Sequence, residues 1–209
     1  MYIPSHFDLK DIEAARNLMR ARSFATLVTT GEDGAPFVTH LPLLFEDDGS
    51  PHGKLIGHVA RPNPHWTLFG RGVPTLAVFH GPHAYISPNW YASPNLVPTW
   101  NYTTVHAYGT PHLITDNAVA LTVVERLSAY FEASLPQPWS TARLPAGNAL
   151  AQMKGIVAFD MPIDRLQAKS KVGQNRQATD RQSAATALDA QGGEDNVAIA
   201  ALMRDWTPG

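Results

Sequence analysis

Residues 81–102 read GPHAYISPNWYASPNLVPTWNY. Tyr85, Trp90, Tyr91, Trp100 and Tyr102 stand among Ser87, Asn89, Thr99 and Asn101, and four prolines punctuate the path. A core strand is built from aliphatic residues and a surface loop from charged, flexible ones; this stretch is neither. Aromatic faces mixed with short hydrogen-bonding side chains suit a flat heterocycle with polar edges. Prolines lower the entropy lost in holding such a wall still. The stretch also divides a sheet pattern. Residues 84–87 read as a short strand before the proline-rich loop, and 99–113 as a long one after it, rich in Thr, Val and Tyr.

Toward the N-terminus, strands are predicted at 24–30 and 37–45 around the hairpin signal Gly31-Glu32-Asp33-Gly34, then at 55–60 and 74–79. Ile12, Ala15 and Met19 recur at helical spacing, which predicts a helix over 8–22 with Asp8 as its cap and Asp11 in its first turn. Pro64 is placed to open a short helix through Phe69. Toward the C-terminus, Thr115 or Asp116 caps a helix to about residue 135, with Val119, Val123, Leu127 and Tyr130 on one face. A helical piece at 149–153 precedes strands at 156–161 and 165–171. Beyond Gln174 the chain turns polar and Ala-rich, with Gly192-Gly193 as a break before a last helix to Trp206, and residues 179–195 read as a mobile tail. Sequential antiparallel strands with inserted helices imply an α+β chain, mainly β, built as a small barrel decorated by helices. The expected division is a barrel domain over 1–172 and a polar segment with a C-terminal helix over 173–209, packed on the barrel or on a partner subunit.

Composition narrows the function classes. The 209 residues carry 16 Lys and Arg against 18 Asp and Glu, and 44% are hydrophobic, as in an ordinary folded domain. A dedicated nucleic-acid binder shows a basic excess, and this chain has none. Its positive charge is concentrated around Lys154, Arg165, Lys169, Lys171, Arg176 and Arg181, which suits either a phosphate group or a solvated face. The absence of cysteine excludes disulfides and thiolate chemistry. No run has the length and apolarity of a membrane span and no secretory leader is evident, so the expected location is cytoplasmic, with no membrane partner.

Neither a G-x-G-x-x-G nor a G-x-x-x-x-G-K-[ST] phosphate loop occurs, and no G-x-S-x-G elbow. Nine histidines lack the helical i, i+4 spacing or carboxylate company of a metal site, so no metal is expected. Residues 57–66 are more specific. A strand ends, Arg61 emerges and a proline-opened helix begins, which reads either as an anion site or as a capped turn with a surface arginine. Lys169, Lys171, Gln174, Asn175 and Arg176 form a second polar cluster; amides suit hydroxyls or pyrimidine edges, and cations suit phosphate.

Taken in order, these pieces resemble the PaiB family of FMN-binding negative transcriptional regulators. The matching stretches are Met1-Tyr2-Ile3-Pro4-Ser5-His6-Phe7, Gly57-His58-Val59-Ala60-Arg61 with Asn63-Pro64, and Gly81-Pro82 with Tyr85-Ile86-Ser87-Pro88 and Trp90-Tyr91. They continue in Val97-Pro98-Thr99-Trp100-Asn101-Tyr102, Val105-His106 and Gln174-Asn175-Arg176. The resemblance implies an FMN-binding split β-barrel of the pyridoxamine-phosphate oxidase and flavin reductase type, a homodimer with FMN at the subunit interface. It implies that His58, Val59, Ala60, Arg61 and Asn63 lie near the phosphate and ribityl chain, with Thr39 and His40 on the strand beside them. Thr99, Trp100, Asn101 and Tyr102 would line the ring or the facing wall, from the partner subunit, and Lys171, Gln174 and Arg176 would complete a polar rim. Pro62, His65 and Gly173 depart from the family pattern; a serine before Gln174 would add a contact worth ~1 kcal/mol.

Two function classes follow. A regulator would act on transcription directly on DNA or through a regulatory protein partner, although no helix-turn-helix pair is evident. An FMN-dependent oxidoreductase would leave redox chemistry to the cofactor, with His80, His83 or Tyr91 as proton donors and a nicotinamide donor of electrons. A haem- or metal-binding role is the third alternative.

Overall fold

Ala25, Leu27 and Thr29 alternate inward along Phe24–Thr30, the period-2 pattern of a half-buried strand. This strand, β1, pairs antiparallel with β2 (Pro36–Pro42) from Phe24↔Pro42 to Thr30↔Pro36. Between them lies the expected hairpin turn, with Gly34 at φ 81°. On its other side β1 meets β5 (Thr75–Ile86), from Thr26↔Val78 to Thr29↔Thr75. A second antiparallel set joins β3 (Leu44–Glu46) to β4 (Lys54–Ala60), and β4 to β8 (Ile156–Lys171). With β6 (Thr99–Gly109) the strand order is β2-β1-β5-β6-β8-β4-β3, and β7 (His112–Ile114) pairs with β8. The helices are α1 (Ile12–Ala21), α2 (His65–Phe69), α3 (Asn117–Glu132), α4 (Asn148–Gln152), α5 (Ala178–Gln191) and α6 (Glu194–Asp205).

The computed structural model describes residues 1–207. These form two compact units. The first comprises Met1–Leu18, His80–Val105 and the chain from Gln167 onward; the second comprises Met19–Phe79 and His106–Leu166. In the first unit Ala84, Ile86 and Val172 are covered by Ala184, Ala185 and Leu188 of α5 and Ile199, Ala200 and Met203 of α6. In the second, Ala120, Val123 and Leu127 of α3 and Met153 close over Ile56 and Ala158.

Several elements differ from their sequence-based outlines, each for a local reason. The first helix begins at Ile12, because Asp11 and not Asp8 is its cap: Asp11 Oδ1 accepts the amides of Glu13 and Ala14 at 2.9 and 3.2 Å. Asp8 instead bridges Lys169 across the backbone. Strand β5 runs unbroken through Gly81-Pro82. A Cβ at Gly81 would lie 1.9 Å from Thr103 Oγ1, so the glycine marks a close crossing and not a turn. Strand β8 likewise passes Pro162, where the ladder continues through Ile163 N donating to Gly53 O at 3.0 Å. The buried stripe of α3 is Ala120, Val123 and Leu127, capped by Asp116; Val119 and Tyr130 are exposed. Residues expected to be a mobile tail form α5. Its buried face is built from alanines and one leucine, a weak hydrophobic signal that suffices because α6 packs closely on it.

Gly109 is the clearest steric constraint in the second unit, since a Cβ there would sit 2.0 Å from the Pro162 carbonyl oxygen. Gly109→Ala is expected to destabilise by about 1–3 kcal/mol, the usual range for overpacking against backbone. In a thermal melt that is a fall of roughly 2–10 °C. A midpoint within a degree of wild type would show that the strands separate freely at this crossing.

Candidate functional site

In the second unit, Thr39 and Asn63 are brought together by a residue outside the expected set. His65 is fully buried, and its ring reaches Thr39 Oγ1 from Nδ1 and Thr29 Oγ1 from Nε2, both at 2.8 Å. Counting protons fixes the direction of the chain. Thr75 donates to the Val73 carbonyl at 3.2 Å, so it accepts from Thr29 at 2.7 Å. Thr29, its proton used there, accepts from His65 Nε2–H. At the other ring nitrogen Thr39 donates to Nδ1 and accepts from Asn63 Nδ2 at 3.1 Å. His65 is therefore the neutral Nε2–H tautomer. Asn63 completes the loop by accepting the His65 amide on Oδ1 at 3.0 Å. That first-turn amide of α2 is thereby satisfied internally, and the five-residue helix offers little of the anion-binding terminus expected from the sequence.

The rest of this group is spread along neighbouring strands. His40 is exposed on β2, its Nδ1 3.1 Å from Thr26 Oγ1. His58 is half-buried on β4 opposite Ala158. Its Nδ1 is buried with no partner among the described residues, and burial holds its pKa below the ordinary value. Val59 is buried, whereas Ala60 and Arg61 are exposed. Arg61 Nε donates to the Lys154 carbonyl at 3.4 Å, and the Arg61 carbonyl accepts Trp66 Nε1 at 3.0 Å. Arg61 and Trp66 line a cleft of about 180 Å³ with Ile114, Asn117 and Met153. Pockets that hold drug-sized ligands run to roughly 300–1,000 Å³, so this cleft is smaller than one built for a whole tricyclic ring.

In the first unit the quoted stretch forms an aromatic face. Tyr85 stands between Trp90 and Trp100, with ring centroids 6.4 and 6.2 Å away, and His83 lies 5.5 Å from Trp100. Trp100 is 52% exposed and Tyr85 46%, an unusual exposure for such large rings. Strand alternation turns Asn101 to the opposite face from Trp100 and Tyr102. There Asn101 is buried, its Nδ2 3.3 Å from Met203 Sδ and its Oδ1 without a partner among the described residues. Lys171 Nζ donates to Thr99 Oγ1 and, at 2.7 Å, to the Trp100 carbonyl, and so holds the start of β6 in place. Burial, then the charges of Lys169 and Arg176, push the Lys171 pKa down. Gln174 closes its own turn, accepting Val172 N at 2.8 Å and donating to Ser170 O at 2.6 Å. Arg176 stacks over Tyr91 at 5.4 Å.

In the first unit, flat exposed rings beside ammonium and guanidinium groups are chemistry that fits a phosphorylated heterocycle; in the second, the buried His58 Nδ1 has no partner among the described residues. Sequence reading missed His65 and left Lys169 unassigned. The available signal for His65 was that Thr29, Thr39 and Thr75, polar residues inside strand patterns, need a buried partner.

Burial lowers the His65 pKa from 6.5 to about 4. Between those values the unfolded chain binds the extra proton and the folded chain does not, so stability is full above pH 6.5 and falls as pH drops toward 4. The loss attributable to this ring reaches about 3 kcal/mol. In urea unfolding from pH 7 to 4, His65→Gln is expected to start less stable and to show a shallower decline. Parallel declines would remove His65 as the cause.

A family model described as "Putative FMN-binding domain" matches residues 1–165. The chain is 38% identical over 207 residues to the protease synthase and sporulation protein PAI 2 of Bacillus subtilis (strain 168), covering 98% of this chain and 97% of that protein. Among solved structures, the flavocytochrome Anf3 from Azotobacter vinelandii aligns with a TM-score of 0.62 at 17% identity, over 81% of this chain and 72% of that one. The FAD and heme binding protein from Mycobacterium smegmatis aligns with a TM-score of 0.61 at 18% identity, over 87% and 78%. At such identities the likeness concerns the fold, an α+β arrangement dominated by antiparallel sheet, the flavin-binding split-barrel type. With four-fifths of its length inside the family model and nearly all of it aligned to PAI 2, the chain belongs to the FMN-binding, PaiB family that its sequence resembles.

Proposed function

We propose that this protein is an FMN-binding regulator of the PaiB type, a cytoplasmic homodimer that holds FMN at its subunit interface. It would act on transcription by contacting DNA or a regulatory protein partner. The observation that carries the reading is the exposed aromatic face of Tyr85, Trp90 and Trp100, with Lys171 bonded to the Trp100 carbonyl. Large rings left exposed beside cations suit a planar ligand, a second subunit, or both. No described helix is long and apolar enough to cross a membrane.

FMN, when bound, supplies a coloured, redox-active ring; the chain supplies position. In this reading Trp100 and Tyr102 present ring faces and Thr99 and Gln174 serve polar edges, while Asn101, expected with them, is buried on the opposite face of β6 against Met203. Thr39, His40, His58, Val59, Ala60, Arg61 and Asn63 are assigned to the ribityl chain and phosphate, and Lys171 and Arg176 to the rim. The net charge of −2 offers no sequence-wide attraction to DNA, so direct contact would rely on local Lys and Arg.

Purified protein titrated with FMN is expected to quench the flavin fluorescence at one site per chain. Trp100→Ala is expected to weaken binding about tenfold, the value of a lost aromatic stack. Unchanged affinity in that variant would remove the aromatic face from the site. Sedimentation should give a dimer. Anaerobic NADH or NADPH should leave the flavin oxidised; rapid bleaching would favour the oxidoreductase reading instead.

A further inference from the structure

Lys169 and Lys171 lie two apart on β8 and so project from the same face of the strand. Lys169 is only 6% exposed. Its Nζ is enclosed by the rings of Tyr2, Phe7 and Tyr102, at 5.7, 5.9 and 5.1 Å, and makes one hydrogen bond, to the Tyr2 carbonyl at 3.3 Å. Lys171 Nζ is also 5.9 Å from the Phe7 ring, so both ammonium groups border one aromatic side chain. Arg176 follows the turn at Gly173 and bears electrostatically on Lys171.

None of the three forms an ion pair among the described residues; the two charges that act on Lys171 are both positive. Asp180, the buried carboxylate of this unit, accepts the Ser93 amide on Oδ1 at 2.8 Å, and its charge acts with that of Arg176 on Tyr91; it is not among the charges that act on Lys171. Asp8, bridged to Lys169 through the backbone, is exposed. A buried ammonium without an opposite charge is strongly unfavourable, and ring faces offset only part of that. At Lys171 its own burial, and after it the positive charges of Lys169 and Arg176, disfavour the ammonium form. What the two lysines lack among the described residues is an anion.

We propose that Lys169, Lys171 and Arg176 form a binding site for the dianion of a phosphate monoester. A carboxylate would leave most of the charge unbalanced. A phosphate brings nearly two negative charges and three acceptor oxygens, which match the unused ammonium protons of Lys169 and the planar fork of Arg176. The monoester is either the phosphate of FMN, in which case the site rests on the FMN reading and takes the phosphate in place of the Arg61 group, which keeps the ribityl chain, or a separate phosphorylated small molecule that the protein senses.

The test uses the full chain, wild type against Lys169→Met and Lys171→Met, which keep the apolar stems. Inorganic phosphate is expected to raise the wild-type melting temperature more than chloride at equal ionic strength, and each variant is expected to lose that excess. Without added anion Lys169→Met is expected to melt at or above the wild-type temperature, since it removes an unbalanced buried charge; a lysine needed only for packing would melt lower. FMN and riboflavin then separate the two sources. A preference for FMN of about tenfold or more that collapses in both variants identifies the flavin phosphate. A preference unchanged in the variants, with the phosphate response lost, identifies a separate ligand. Variants that keep the wild-type phosphate response and flavin preference overturn the proposal; should Lys169→Met fail to fold, Lys171→Met decides. A wild type that binds neither flavin but responds to phosphate through these lysines would end the FMN reading and leave this site standing.

Discussion

A buried imidazole between three threonines organises the second unit. His65 receives the Thr39 proton on one nitrogen and donates to Thr29 through the other, and Thr29 passes the direction on to Thr75. Those threonines belong to β2, β1 and β5, and the histidine to α2, so one hydrogen-bonded chain fastens three strands and a helix. Its links are mutually dependent, because each hydroxyl has one proton and its use at one end fixes its role at the other. The phenyl rings of Phe37 and Phe69, each 4.9 Å from the imidazole, keep the chain away from water, which strengthens each bond and holds the ring neutral. Thr39 and Asn63 reach the half-exposed end of this chain with their orientations already set.

The first unit is organised by shape. Gly81 has no side chain where Thr103 crosses, and alanines on α5 allow α6 to lie close. These close approaches bury Ala84 and Ile86 on one face of β5, and strand alternation then obliges His83 and Tyr85 to emerge on the other. The aromatic face is thus the necessary reverse of a well-packed core. Charge is distributed differently. Buried carboxylate and buried ammonium are both present in this unit, at Asp180 and Lys169, yet each is engaged with backbone and not with the other.

Much of this was legible in the residues. The hairpin of β1 and β2, the strand ending at Ala60, the Asp116 cap and the Gly192-Gly193 break follow from periodicity, capping and glycine placement, which act over a few neighbouring residues. Ordered motifs along the chain also sufficed to recognise its family. Where the reading slipped, a distant partner decided. Gly81-Pro82 and Pro162 look like strand ends in isolation and are crossings because another strand passes there. The alanine-rich run after Gln177 looks mobile until α6 is laid against it.

Sequence by itself determined the alternation of antiparallel strands and helices, the family, and the chemical types gathered near a ligand: indoles, phenols, amides and cations. Tertiary structure alone decided which of them meet. It bonded Thr39 to Asn63 and both to His65, turned Asn101 away from Trp100, and buried Lys169 among three rings with no counter-charge among the described residues. The physical reason is that periodicity and capping are local, whereas hydrogen-bond direction, burial and charge balance depend on groups brought together from far along the chain.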